Sequence, residues 1–155
     1  MIYVAHNGQK RPLFSTDRIL IPGQHNVENY LAAIAAVQGM VSDEVILHTA
    51  ETFPGVEHRI ELVRTKDGVR YYNDSIASSP TRTIAGLRSF PQKVILIAGG
   101  YDKKIPFDVQ GKEVQDHVKT LVLTGHTAEK IRQAVVLAQG HQEGHPTIRM
   151  EVDFK

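Results

Sequence analysis

The sequence contains no cysteine and no tryptophan. Without cysteine there is no disulfide, no thiolate nucleophile and no cysteine-based zinc site, a composition that suits a reducing cytoplasm. Neither sign of charge is in excess: 18 basic and 17 acidic residues leave a formal net charge of +1. The two signs are interspersed, so there is no electrostatic footprint for nucleic acid or an acidic membrane. No apolar run approaches membrane-spanning length. The amino-terminal stretch MIYVAHNGQKRPLF has no apolar core of signal-peptide length. A cytoplasmic chain with no nucleic-acid and no membrane partner is expected. Also missing is any G-x-x-x-x-G-K-[ST] sequence, the ordinary loop for cradling ATP phosphates.

What is present describes a globular protein. Hydrophobic residues make up 41% and charged residues 23% of 155, enough for one domain, or one domain with a remnant of another. Apolar stretches at Ile2 to Ala5 and Arg18 to Ile21 flank a polar loop of Asn7, Gly8 and Pro12, and suggest two strands at the end of a sheet. In HNVENYLAAIAAVQG, Tyr30, Leu31, Ile34 and Val37 keep helical spacing and Gly39 is placed to end the helix. Ser42, followed by Asp43 and Glu44, reads as an N-cap with first-turn acids, opening a helix that stops before Phe53.

From Ile60 the pattern alternates: IELVRT, the turn KDG, then VRYY, a hairpin entering a new sheet. A boundary near Pro54 to Glu57 follows. Ser79 and Pro80 open a helix through Phe90, VILIA at Val94 to Ala98 reads as a buried parallel strand, and helix-like Val109 to Val118 comes next. Strand-like Leu121 to Leu123, helix-like Ala128 to Ala138 and strand-like Thr147 to Val152 continue the alternation. The pattern is that of an α/β domain with a Rossmann-like doubly wound, mostly parallel sheet.

Such sheets bind ligands at the carboxyl ends of their strands. The loop after Tyr72 reads NDSIASSP, combining a carboxylate, hydroxyls and a helix start, suited to an anion or a metal-bound phosphate; equally, Asn73, Asp74 and Ser75 make an ordinary turn and cap. The loop after Ala98 reads GGYDKK, where paired glycines admit a ligand and Lys103 or Lys104 can meet a carboxylate or phosphate, or simply be solvated. Asn26 and Asn29, three apart on one helix face, can read an adenine edge or cap the helix. Arg59, beside His58, can clamp phosphates or pair with Glu57 or Glu61. His141 and His145 are four apart, but Gly140, Gly144 and Pro146 deny them the helix that would align them on a metal.

Together, and in this order and spacing, GQHNVENYLAAIAA, FPGVEHRIELV, YYNDSIASSPTRTIAGLRSF and KVILIAGGYDKK resemble the Mur ligases over almost the whole chain. The wording around His58, Asp74 and Lys103 is similar to the branch that adds D-glutamate. That resemblance implies a fragment of an ATP- and Mg2+-dependent ligase of peptidoglycan synthesis. In that reaction ATP phosphorylates the alanyl carboxylate of UDP-N-acetylmuramoyl-L-alanine, and the D-glutamate amine attacks the acyl phosphate. It further implies that residues 1–54 are the end of a central ATP-binding domain and 55–155 most of an amino-acid-binding Rossmann-like C-terminal domain. By motif, Asn26, Asn29, Arg59 and Asp74 fall on the nucleotide side, and Ser78 and Lys103 on D-glutamate. Ile76 departs from the family, where Lys is frequent. The alternatives are a stand-alone Rossmann-like nucleotide-binding module, or a Mur ligase of different amino-acid specificity.

Overall fold

A computed structural model describes residues 1–151. It divides into two compact units, residues 1–74 and residues 75 onward. In the first unit, β1 (Ile2–His6) and β2 (Gln9–Phe14) form an antiparallel hairpin. The expected second strand at Arg18 to Ile21 is not formed; a single 3-10 turn at Thr16–Arg18 lies there instead. The reason is the Asn7-Gly8 pair, whose positive φ values of 48° and 76° make the two-residue turn that strand twist favours. The chain therefore reverses at once, and Pro12 is tolerated in β2 because the sheet has only two strands.

Helix α1 (Gln24–Val37) buries Tyr30 and Ile34, and α2 (Asp43–Thr52) buries Ala50. With Ile2 and Phe14 these residues make one apolar cluster, which Leu13, Ile19, Ile46 and Leu47 flank. Gly39, at φ 81°, ends α1 as its position predicts. Arg11 is ion-paired with Asp43, and Arg18 with Glu51. The hairpin of β3 (Glu61–Lys66) and β4 (Val69–Asn73), turned through Asp67 and Gly68, completes the unit. β4 hydrogen-bonds to β3 alone among the described strands.

The second unit is α/β. α3 (Pro80–Leu87), β5 (Val94–Gly99), α4 (Gly111–His117), β6 (Val118–Thr124), α5 (Ala128–Val136) and β7 (Thr147–Met150) alternate, and β5, β6 and β7 pair in parallel in that order. Leu96, Leu121 and Ile148 stand in register across the sheet. α3 stops at Leu87 rather than Phe90, with single turns closing at Ser89 and Phe90. Val152, placed in the last strand by its pattern, lies outside the described residues.

Leu87, Val114, Val118, Leu121, Leu123, Ile131 and Val135 form the core, with Leu96, Ala98 and Ile148 against it. The helices thus cover the sheet face that carries Leu96 and Ala98. On the opposite face Ile95 and Ile97 are 59% and 60% exposed, so β5 is not buried on both sides as its continuous apolar run suggests. An apolar run does not reveal how many of its faces are packed. Gly111 makes the α4–α5 contact close: a Cβ there would lie 2.1 Å from the carbonyl oxygen of Ala134.

Candidate functional site

In the first unit the turn preceding β3 holds Arg59 between two residues at positive φ, His58 at 63° and Ile60 at 47°. For β-branched Ile60 this is a strained backbone. Four groups hold it. The Ile60 amide donates to Asp74 Oδ1 at 3.1 Å, the His58 amide donates to Glu61 Oε2 at 2.8 Å, the His58 ring Nδ1 and the Asn73 amide nitrogen meet at 2.8 Å, and Ile60 is buried. The arrangement presents the exposed Arg59 guanidinium from a fixed backbone.

His25, in the first turn of α1, belongs to the same neighbourhood. Burial lowers its pKa, the Arg59 cation lowers it further, and Asp74 and Glu28 oppose them. Arg59 and Asp74 are therefore within electrostatic reach of the start of α1. The two asparagines differ. Asn26 is buried and donates from Nδ2 to the carbonyl of Pro22 at 2.6 Å, while its Oδ1 accepts from Asn29 Nδ2 at 3.3 Å. Gly23 stands at the N-cap and no side chain caps the helix, so Asn26 ties α1 to the preceding loop instead of capping it. Asn29 is exposed, with its amide nitrogen turned to Asn26.

In the second unit the loop after β5 crosses onto the loop after β6. The Gly100 amide donates to Thr124 O at 3.2 Å, and the Thr127 amide and hydroxyl donate to Gly100 O at 3.2 and 3.4 Å. The chain comes so close at Gly99, φ 137°, that a Cβ would lie 1.8 Å from Thr124 O. Lys103 and Lys104 follow, both exposed, with Lys104 at φ 58°. Asp102 is the fixed point of this loop: its Oδ1 accepts from the Lys104 amide at 2.8 Å, and its Oδ2 pairs with Lys130 on α5. These contacts hold the Asp102 carboxyl below the usual aspartate range, the Lys130 hydrogen bond contributing most.

Ser78 is exposed, and its amide donates to the carbonyl of Ile76 at 2.8 Å. The same carbonyl accepts from the Arg82 guanidinium at 3.3 Å. Ser79 stands at the N-cap of α3, with its hydroxyl turned to Thr81 at 3.1 Å. The loop of Lys103 follows β5, which pairs with β6. Missed by the sequence reading were Lys130 and the depression of about 380 Å³ beside the β6 and β7 ends, where His126, Glu129 and Met150 line the wall. Nothing in the local pattern distinguishes Lys130 from the other charges of an amphipathic helix. Among the described residues no group of three or more acidic or histidine side chains could hold a metal ion, and His145 instead meets Lys93 at 3.0 Å.

Comparison with known proteins addresses the same segments. Residues 58–153 match the family model for the glutamate ligase domain of Mur ligases. The chain is 66% identical over 117 residues to the UDP-N-acetylmuramoylalanine–D-glutamate ligase of Acetivibrio thermocellus, covering 76% of this chain and 25% of that protein. It is 63% identical over 116 residues to the enzyme of the same name from Clostridium beijerinckii, with 75% and 25% covered. To that of Clostridium novyi it is 52% identical over 153 residues, which is 96% of this chain and 33% of that protein. The chain thus spans a quarter to a third of the length of these relatives. Residues 58–153 are more than half of the chain and contain its parallel α/β unit, so the chain belongs to the Mur ligase family.

Proposed function

We propose that this chain is the amino-acid-presenting part of a ligase that adds D-glutamate to UDP-N-acetylmuramoyl-L-alanine in cytoplasmic peptidoglycan synthesis. The observation that carries the reading is the GGYDKK loop. It is pinned at the carboxyl end of a parallel sheet and leaves the Lys103 ammonium exposed, within the residues that match a glutamate ligase domain. A dicarboxylate amino acid needs a cation and hydroxyl donors, and Lys103 and Ser78 supply them.

Residues 1–54 are read as the end of the central ATP-binding domain and 55–155 as the amino-acid-binding domain. ATP with Mg2+, when bound, supplies the phosphoryl group that makes the alanyl carboxylate electrophilic. Arg59, held by its strained turn, gives that nucleotide a guanidinium, Asp74 braces the turn, and Asn29 offers an amide to the base while Asn26 fixes the start of its helix. The residues of this chain do not themselves transfer a group. They position the amine against an activated carboxyl, which can contribute on the order of 7 kcal/mol or more.

In the complete ligase carrying this segment, Lys103→Ala is expected to raise the KM for D-glutamate roughly tenfold to hundredfold, the loss of one charge-assisted contact worth about 1.5–3 kcal/mol. Its KM for ATP should barely move. Arg59→Ala should show the reverse pattern. Steady-state phosphate release checks both, and an unchanged D-glutamate dependence in Lys103→Ala would remove the substrate role of the loop.

A further inference from the structure

We propose that Asp102 and Lys130 form a strut that sets the position of Lys103, so that Lys130, on α5, is a positioning residue for the amino-acid substrate. The inference rests on the reading of Lys103 as a D-glutamate contact. Lys103 sits in the middle of a turn whose two ends are tied by one carboxylate: Asp102 Oδ1 accepts the Lys104 amide at 2.8 Å. That bond keeps Lys104 in its left-handed backbone at φ 58°, a conformation that a residue with a long side chain occupies only when held. The other oxygen of Asp102 is held by Lys130.

Lys130 is free for this role because the acid beside it is engaged elsewhere. Glu129 accepts from Nε and Nη2 of Arg132, at 2.8 and 2.7 Å, and from Gln133 at 3.1 Å. The ion pair therefore connects the substrate loop to a helix whose Ala128, Ile131 and Val135 lie in the core. Gly100 is fixed independently by its bonds with Thr124 and Thr127. With both ends anchored, the loop can offer the Lys103 ammonium from one place.

A stability role does not explain the contact. The Lys130 side chain is 54% exposed and that of Asp102 27% exposed, and ion pairs so open to water contribute little to folding. Charge balance alone does not explain it either, since any nearby carboxylate would screen Lys103 and Lys104. What this one adds is geometry, through a bidentate role that ties backbone to helix.

The test compares Lys130→Met, Lys130→Arg and Asp102→Ala with Lys103→Ala in the complete ligase. In the 155-residue chain it compares amide exchange at Lys104. Lys130→Met should raise the KM for D-glutamate about threefold to tenfold, as a small misplacement of a binding group does, with KM for ATP and thermal midpoint unchanged. Asp102→Ala should have the larger effect, Lys130→Arg should restore most of the wild-type value, and Lys104 exchange should quicken in Lys130→Met. If Lys103→Ala raises KM while Lys130→Met and Asp102→Ala do not, the strut is refuted and the reading of Lys103 stands. If all of them leave the D-glutamate dependence unchanged, that reading falls and takes the strut with it. An equal rise in both Michaelis constants would show a merely structural role and overturn the proposal.

Discussion

Single side chains in this protein act mainly by holding backbone. Asp74 reaches the amide of Ile60, Asn26 the carbonyl of Pro22, and Asp102 the amide of Lys104, so that Arg59, α1 and Lys103 are each presented by a neighbour. His25 makes the coupling around Arg59 measurable. Its pKa is lowered, first by burial and then by Arg59, so the folded state resists its protonation. Below the ordinary histidine value of 6.5 the unfolded chain binds the proton more readily, and stability must fall with pH through that range. The wild-type chain should lose thermal stability on acidification from neutral pH, and His25→Gln should flatten part of that loss. Identical slopes for the two proteins, by circular dichroism melts across the range, would disconnect His25 from Arg59 and from the buried helix start.

At the scale of elements, the carboxyl ends of β5 and β6 meet closely, and the residue that permits their approach is Gly99. No side chain fits there, because its Cβ would meet the Thr124 carbonyl and its φ is 137°. Gly99→Ala should therefore destabilise the second unit by on the order of 3 kcal/mol, while Gly140→Ala, whose added Cβ meets no atom within 4 Å, should cost less. Chemical denaturation checks the pair, and equal losses would mean that the crossing of the two loops is not tight.

Much of this was legible in the residues. The Tyr30 and Ile34 spacing, the Asp67-Gly68 turn, Pro80 at a helix start and the alternation after it produce the elements their patterns imply. The first hairpin was not read, because β2 (QKRPLF) is too polar to show a strand pattern and its signal lay in the Asn7-Gly8 turn alone. The exposure of Ile95 and Ile97 was hidden for another reason: packing of a sheet face depends on helices placed far along the chain. The GGYDKK loop was legible because two glycines mark it, whereas the contact of Asp102 with Lys130 joins residues 28 apart, and no local pattern records such a distance.

As a whole, the chain has two units with separate cores and only part of the length of the relatives it matches. The first contains Asn29, Arg59 and Asp74, and the second Ser78 and Lys103. The phosphate-binding loop is not among these 155 residues, and the chain by itself should release no phosphate from Mg-ATP. Recognition of D-glutamate is proposed to lie within residues 58–153. It is tested most directly by placing this segment in the corresponding position of the Clostridium novyi ligase, then measuring phosphate release and amide product with UDP-N-acetylmuramoyl-L-alanine, Mg-ATP and different amino acids. The hybrid should form product with D-glutamate and not with L-alanine or L-lysine, and introducing Lys103→Ala should raise its D-glutamate requirement. A folded hybrid that joined another amino acid in preference, or showed no D-glutamate-dependent phosphate release, would contradict the account.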